Sequence, residues 1–159
     1  MTARRHFTGC GTALVTPFTA DGRVDEAALR RLARRQVDAG MHFLVPVGTT
    51  GEAPTLTADE KRRVVAVVVE EAAGRVPVLA GAGGYDTADV IEAAHMAADA
   101  GANGILSVSP YYSKPTQDGI FAHYQAIAAE TSLPIVLYNV PGRTGSNIEP
   151  ATTERLAQV

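Results

Sequence analysis

The sequence predicts an α/β fold in which five strand–helix units follow one another and contribute their strands to one parallel sheet. Short apolar runs of strand length recur about every 30 residues, as expected of right-handed β-α-β crossovers. Apolar side chains recur at helical spacing between these runs, and each run opens into a segment rich in glycine, proline or polar residues. A chain of 159 residues with these features is expected to form a single domain, residues 1–159.

The first two units begin with an apolar run at residues 11–18, which we predict to be a buried strand closed by Pro17. Asp25 is expected to cap the following helix, because its carboxylate can accept a hydrogen bond from a free N–H group of the first turn. The helix is expected to end at Gly40, and residues 43–47 are predicted to form the second strand.

The second helix is predicted from a capping box, in which Thr57 and Glu60 bond each other's backbone N–H groups. The valines that follow favour a strand by propensity, but the length of the segment and its place between strands favour a helix. Asp86 is expected to cap the third helix. The remaining strands are predicted at residues 77–80, 104–108 and 133–137, with helices after the last two, the final one at residues 150–158.

The composition is that of a globular protein and gives no reason to expect a nucleic-acid partner or an anionic membrane surface. Hydrophobic residues make up 46% of the chain, charged residues 19%, and the net charge is −3. The arginines of residues 30–35 fall within a helical pattern and are interpreted as a solvated face. No apolar run approaches the roughly 20 residues of a membrane span.

The expected location is the cytoplasm. A single cysteine, Cys10, cannot form an internal disulfide and suits a reducing compartment. Residues 1–6 are not followed by the apolar region of a secretory signal. Because Cys10 stands between two glycines at the start of a strand, it is interpreted as a small buried residue rather than as a nucleophile.

We expect no cofactor and no metal ion. Residues 81–84 are glycine-rich, but they lack the dinucleotide-binding fingerprint and do not follow the first strand of a nucleotide-binding unit. The sequence also has no Walker-type phosphate loop. The four histidines show no metal-ligand spacing and are interpreted as structural or surface groups: His6, His42, His95 and His123.

The most informative candidate site follows the fifth strand, where Tyr138 and Arg143 stand among proline and glycine. A phenol can transfer a proton, and a guanidinium can bind a carboxylate through two parallel hydrogen bonds. This pair suits a site for a small anion. The alternative is a tyrosine packed against the sheet and an arginine in a solvated loop, and this stretch alone leaves both open.

Two further segments follow predicted strands, where the loops of parallel α/β folds carry chemistry. Residues 48–52, Gly-Thr-Thr-Gly-Glu, offer the hydroxyls of Thr49 and Thr50 and several N–H groups that could form a nest for a carboxylate. An ordinary turn with its hydroxyls bonded to the backbone is the alternative. Tyr111 and Tyr112 point opposite ways in an extended loop, so one can pack in a core or an oligomer interface while the other reaches outward.

Taken together, residues 11–18, 48–52, 110–115 and 137–145 resemble the dihydrodipicolinate synthase and N-acetylneuraminate lyase family. The similarity covers essentially the whole chain from residue 7 onward, in the family's order and spacing. The family consists of (β/α)8 barrels that form a Schiff base between a lysine on a strand and pyruvate. The resemblance implies a partial TIM barrel of about five βα units with parallel strands, ending before barrel closure, with two open edge strands.

Within the family, the motifs are similar to those of members that condense pyruvate with aspartate semialdehyde in lysine and diaminopimelate biosynthesis. The resemblance implies that Tyr138 shuttles the proton and that Thr49 links it by hydrogen bonds to Tyr112, contributed across a dimer interface. The N–H groups of Thr49 and Thr50 would hold the pyruvate carboxylate. Arg143 would bind the carboxylate of aspartate semialdehyde. The resemblance also implies a homo-oligomer, a dimer of dimers.

The chain departs from the family in two ways. The Schiff-base lysine lies on the strand after the Tyr138 unit, and the 159 residues end before it, so we expect them to be inactive alone. Lys61, in a helix, and Lys114, in a loop, do not stand at a strand's end where an amine could be desolvated. Members inhibited by lysine carry histidines and an asparagine where this chain has Ala58, Lys61 and Tyr85, which argues against lysine feedback.

Two alternatives stay open at this point. One is another pyruvate-dependent class I aldolase, of the 2-keto-3-deoxy acid aldolase or N-acetylneuraminate lyase type. The other is a non-catalytic half-barrel that binds a partner supplying the remaining strands, which the missing lysine suggests. Loss of aspartate semialdehyde use on removal of Arg143 would argue against the first. Size measurement of the purified chain, alone and with candidate partners, tests the second.

Overall fold

A computed structural model describes residues 7–159, in which strands and helices alternate around a parallel, open sheet. The prediction for His6 and the assessment of residues 1–6 lie outside the described residues. The strands are β1 (Gly11–Ala13), β2 (Phe43–Val45), β3 (Leu79–Gly81), β4 (Gly104–Val108) and β5 (Ile135–Tyr138). The helices are α1 (Glu26–Asp38), α2 (Ala58–Ala72), α3 (Thr87–Asp99), α4 (Gln117–Glu130), α5 (Pro141–Thr144) and α6 (Pro150–Leu156), with a 3-10 turn at Ala53–Thr55.

The five strands lie side by side in chain order and run parallel. β1 pairs with β2, β3 with β4, and β4 with β5. β2 and β3 are joined where the Leu44 N–H donates to the Pro77 carbonyl at 3.1 Å and the Gly81 N–H donates to the Pro46 carbonyl at 2.9 Å. Within residues 7–159, β1 and β5 each pair along one edge, which confirms the predicted open edges.

The predicted helix starts are confirmed. Asp25 Oδ1 accepts a hydrogen bond from the N–H three residues later at 2.8 Å, and Asp86 Oδ1 accepts one from the N–H two residues later at the same distance. Thr57 and Glu60 form the full capping box. α2 is a helix despite its valines because packing against the core outweighs strand propensity. Four of those valines are almost fully buried: Val64, Val65, Val67 and Val68.

β1 is shorter than predicted, because it ends at Ala13 rather than at Phe18. The Leu14 N–H still donates to the Val45 carbonyl at 3.0 Å, but none of the described backbone hydrogen bonds joins residues 15–18 to β2, and Pro17 has no N–H group to donate. Phe18 instead forms an antiparallel bridge with Val24 and is 38% exposed. The apolar character of residues 11–18 therefore reflects a strand followed by a packed turn.

Two predictions of burial are wrong. Cys10 is exposed because it lies one residue before the start of β1. Its backbone N–H donates to His42 Nδ1 at 2.9 Å. All four residues of β5 are half-buried rather than buried. β5 has a neighbouring strand along one edge within residues 7–159, so one side of it has less packed around it.

The arginines interpreted as a solvated face are largely exposed, and two of them, Arg30 and Arg34, also join α1 to α2. Arg30 binds both Glu70 and Glu71, and Arg34 binds Glu71 with nitrogen and oxygen 2.9 Å apart. The Arg34 guanidinium lowers the pKa of Glu71, with burial opposing it. Exposed pairs of this kind contribute about 0–1 kcal/mol each, so they align the two helices more than they stabilise the fold.

His123 is a buried histidine in α4, facing α3, with 6% of its surface exposed. Its Nδ1 lies 2.9 Å from Thr87 Oγ1, and its ring packs edge-on against Tyr124. Its Nε2 has no hydrogen-bond partner among residues 7–159. Burial lowers the pKa of His123, and the negative charge of Asp86 opposes this. The folded state therefore favours the neutral imidazole.

We expect the free energy of unfolding to decrease as the pH falls below about 6.5, because the unfolded state binds the His123 proton more readily than the folded state. Chemical denaturation from neutral to mildly acidic pH measures this decrease. A His123→Gln variant removes it, and titrating carboxylates affect both proteins alike. Equal acid sensitivity of the two proteins would contradict the assignment.

Candidate functional site

The carboxyl ends of β2, β3 and β5 surround a cavity of about 240 Å³. Its charged side chains are Lys61 and Arg143, and none of the described residues that line it is Asp or Glu. A concave site with charges of one sign favours a ligand of the opposite sign. The cavity is therefore suited to a small anion. Its polar and charged side chains are Thr49, Lys61, Tyr111, Tyr138, Arg143 and Thr144.

The loop after β2 holds backbone N–H groups towards solvent. Its two ends, Val47 and Glu52, adopt the left-handed conformation, with φ of 58° and 56°. The buried Thr16 hydroxyl braces this loop, because it donates to the Gly51 carbonyl at 2.7 Å. Across residues 7–159, no protein acceptor is bonded to the N–H groups of the two exposed threonines between them. Two adjacent free donors at the end of a strand can bind a carboxylate.

Gly81, at the end of β3, allows this loop to approach β3 closely. A Cβ atom at Gly81 would lie 2.0 Å from the Val47 carbonyl oxygen and 3.0 Å from the Gly48 nitrogen. Both are backbone atoms, which cannot move aside as the tip of a side chain can. The close approach of β2 and β3 at their carboxyl ends therefore requires glycine here.

Tyr138 is the last residue of β5 and is half-buried, opposite Val108 of β4. Its carbonyl accepts a hydrogen bond from the Ser109 N–H at 2.9 Å, which fixes the end of the strand. α5 follows directly and ends at Gly145, which has φ of 65°. Arg143 is exposed on α5 and reaches the same cavity as Tyr138.

Tyr111 and Tyr112, in the loop after β4, point in different directions, as expected for neighbouring side chains. Tyr111 lines the cavity and packs edge-on against Tyr85, with ring centroids 5.3 Å apart. Tyr112 is 88% exposed and has φ of 64°. Within residues 7–159, no hydrogen bond joins the hydroxyls of Thr49, Tyr112 and Tyr138 to one another. One copy of the chain thus does not contain a complete hydroxyl relay.

Of the predicted site residues, Thr49, Tyr138 and Arg143 line one cavity, whereas Thr50 and Tyr112 stand outside its lining. Sequence reasoning missed Tyr111 as a wall of this cavity, because alternation shows that two neighbouring side chains diverge but not which one turns inward. It also missed Lys61, which reaches the cavity from α2. No sequence signal marks a helical lysine as cavity-facing without the position of the neighbouring loop.

Metal-ligand clusters and membrane-spanning helices were sought among residues 7–159. Residues 7–159 contain no cluster of three His, Cys, Asp or Glu side chains that could hold a metal ion. No helix among these residues combines the length and hydrophobicity needed to cross a membrane. The described histidines other than His123 are exposed, with His42 accepting from the Cys10 N–H and His95 Nε2 bonded to the Glu130 carbonyl.

Comparison with known proteins decides the family. The model of the dihydrodipicolinate synthetase family matches residues 6–159. The chain belongs to that family. It is 56% identical over 152 residues to 4-hydroxy-tetrahydrodipicolinate synthase of Koribacter versatilis, which covers 95% of this chain and 51% of the relative. It is 53% identical over 155 residues to the enzyme of the same name from Chloroherpeton thalassium, which covers 98% of this chain and 51% of the relative.

Solved structures of the family agree with this chain over the same half. Dihydrodipicolinate synthase from Acinetobacter baumannii, complexed with pyruvate, matches with a TM-score of 0.95 and 44% identity, over 97% of this chain and 53% of that one. The protein from Cyanidioschyzon merolae, with lysine bound, matches with a TM-score of 0.93 and 43% identity, over 98% and 53%. The chain thus spans about half the length of its relatives and matches about half of their TIM barrel.

Proposed function

We propose that this chain forms the keto-acid side of an active site that condenses pyruvate with aspartate semialdehyde through a lysine Schiff base. Thr49, Tyr138 and Arg143, which arrive from two different strand ends, share one positively charged cavity, and this observation carries the proposal. The lysine belongs to the part of the relatives that this chain does not match. The chain continued through that part is hereafter called the extended protein.

The geometry suits binding of pyruvate by its carboxylate. The free N–H groups of Thr49 and Thr50 donate to the carboxylate oxygens and point the ketone towards Tyr138. The lysine amine then adds to the ketone carbon, a proton is delivered to the ketone oxygen, and water leaves as the carbon–nitrogen double bond forms. The Tyr138 phenol delivers a proton to the oxygen, which leaves with the water, and is restored by a proton that the lysine nitrogen gives up.

A phenol has an ordinary pKa near 10, so Tyr138 needs hydroxyl partners to exchange protons near neutral pH. Thr49 lines the same cavity and supplies the first hydroxyl. Tyr112 is 88% exposed on this chain, and we propose that it supplies the next hydroxyl to the site of a second copy. The proposal therefore includes a homo-oligomer in which a neighbouring copy completes each site. We also propose that the protein acts in the cytoplasm.

The experiment that tests this function is borohydride trapping with pyruvate. The extended protein is expected to gain a reduced pyruvate adduct on the lysine of the strand after the Tyr138 unit. The 159 residues alone are expected to gain none and to show no turnover, because the Schiff-base lysine lies outside them. Lys61 lines the cavity, but it projects from α2 rather than from a strand's end, and Lys114 lies in a loop. Absence of an adduct on the extended protein would overturn the proposal, and so would a modified Lys61 or Lys114 on the short chain.

Arg143 is proposed to bind the carboxylate of the second substrate, aspartate semialdehyde. We expect Arg143→Ala in the extended protein to lower kcat/KM for aspartate semialdehyde about 10- to 100-fold, because a charge-assisted, two-point hydrogen bond to the substrate carboxylate is lost. Arg143→Lys keeps the positive charge but loses the planar guanidinium. Its kcat/KM for aspartate semialdehyde is expected to lie between those of the parent protein and of Arg143→Ala. Steady-state kinetics with each substrate varied in turn measures the effect.

Pyruvate trapping serves as the control, since it does not involve Arg143. An unchanged rate with aspartate semialdehyde in Arg143→Ala would contradict the role of Arg143. Such a result would favour an aldolase of the same family with a different acceptor.

A further inference from the structure

Asn139 stands between Tyr138 and Arg143 in the sequence, and the proposed chemistry gives it no role. Its side chain closes the loop that carries Arg143. Asn139 Oδ1 accepts a hydrogen bond from the Ile148 N–H at 3.0 Å, and its Nδ2 donates to the Ile148 carbonyl at 3.3 Å and to Asn147 Oδ1 at 2.9 Å. One amide thus ties the start of a nine-residue connection to its end.

Gln117, at the start of α4, also hydrogen bonds to the end of this loop. Its Nε2 donates to the Asn147 carbonyl at 2.8 Å. Its Oε1 accepts from the Glu149 N–H at 3.1 Å and from the Thr152 hydroxyl at 2.6 Å. The two side-chain amides of Asn139 and Gln117 thus make six hydrogen bonds, all to residues 147–152, which follow Arg143.

Alternate residues of the segment between these ties are buried, and two of them are bonded to one another. The Thr144 hydroxyl donates to the Ser146 carbonyl at 2.7 Å, and the Ser146 hydroxyl lies 3.1 Å from that of Ser109, next to β4. Thr144 and Ser146 are each 6% exposed, and Ile148 is 5% exposed. Arg143 is exposed and directly precedes this buried, hydrogen-bonded stretch.

We propose that Asn139 and Gln117 are positioning residues that set the Arg143 guanidinium against the cavity and so control selection of the second substrate. Neither residue lines the cavity, so each acts through the loop rather than on the substrate. The identity of that substrate rests on the proposed function. The pyruvate side is built from the β2 loop and β5, so a looser Arg143 loop leaves pyruvate binding unchanged.

The loop itself is tested by trypsin digestion of the 159-residue chain. Cleavage after Arg143 requires local opening of its turn. Asn139→Ala is expected to raise the rate of this cleavage about tenfold relative to cleavage after Arg62 in α2, because the ties at the loop end are lost. Asn103→Ala is the matched control, since Asn103 Oδ1 also accepts a backbone hydrogen bond, from the Val78 N–H at 2.9 Å, but far along the chain from this loop.

Equal cleavage after Arg143 in the two variants would overturn the proposal. If Asn139→Ala accelerates cleavage after Arg62 as well, the fold has been loosened as a whole. Gln117→Glu then decides, because it keeps the two hydrogen bonds accepted by Oε1 and removes the donor to the Asn147 carbonyl. It is expected to raise cleavage after Arg143 alone, and no rise would overturn the proposal.

Kinetics of the extended protein test the consequence. Asn139→Ala and Gln117→Glu are each expected to raise KM for aspartate semialdehyde about tenfold while KM for pyruvate and pyruvate trapping stay unchanged. In an Arg143→Ala background the same substitutions are expected to add nothing, since they act through Arg143. Additive effects, or a fall in kcat with unchanged KM, would overturn the positioning role. Failure of the parent protein to trap pyruvate would refute the proposed function, and the digestion would still decide on the loop.

Discussion

Replacing Tyr138 by phenylalanine in the extended protein is expected to lower kcat for the condensation about a thousandfold. The ring and its packing at the end of β5 remain, and only the group that moves the proton is lost. Without it, the ketone oxygen must take its proton from water or from a group that is not positioned beside it. The measurement is the rate of product formation with both substrates saturating.

Tyr111→Phe is the matched control for this experiment. Tyr111 lines the same cavity and would lose the same atom, but the proposed relay does not use its hydroxyl. Its kcat is expected to stay near that of the parent protein. If the two phenylalanine variants turn over at similar rates, the proton is not carried by Tyr138.

Replacing Gly81 by alanine is expected to cost about 3 kcal/mol of the free energy of unfolding, because the new Cβ would press on the carbonyl of Val47. The strain cannot be relieved by turning a side chain, since the clash is with backbone on a neighbouring strand. β2 and β3 must separate at their carboxyl ends, and the β2 loop is displaced with them. Urea denaturation of the 159-residue chain measures the loss of stability.

Gly142→Ala provides the comparison, because a Cβ on Gly142 would meet open space and its φ is not in the left-handed region. This change is expected to alter the free energy of unfolding by about 0.5 kcal/mol or less. A Gly81→Ala protein as stable as the Gly142→Ala protein would show that the two strand ends are not in the close contact described.

The order of the fold could be predicted because its helix starts and strand positions leave local signals. Thr57 and Glu60 identified α2 even though the valines after them favour a strand. Strand lengths were predicted less well, because apolar runs do not reveal where hydrogen bonding between strands stops. The sequence after Ala13 remains largely apolar although β1 has ended. Cys10 lies just before β1 and is exposed.

The site could be predicted in part because parallel strands bring their carboxyl ends to one edge of the sheet. That rule is enough to bring Tyr138 to the same cavity as Thr49. It does not fix side-chain direction inside a loop, so Tyr111 rather than Tyr112 faces the cavity. The left-handed φ of Tyr112 depends on the loop as a whole and has no signal in the sequence.

A crystal structure of the extended protein after borohydride trapping with pyruvate would show whether the keto acid binds between the β2 loop and Tyr138. We expect the carboxylate of the trapped adduct within hydrogen-bonding distance of the Thr49 and Thr50 N–H groups, with the Tyr138 phenol beside the former ketone carbon and Arg143 free to bind a second carboxylate. An adduct whose carboxylate lies away from the β2 loop, or whose reacting carbon is out of reach of Tyr138, would contradict the account.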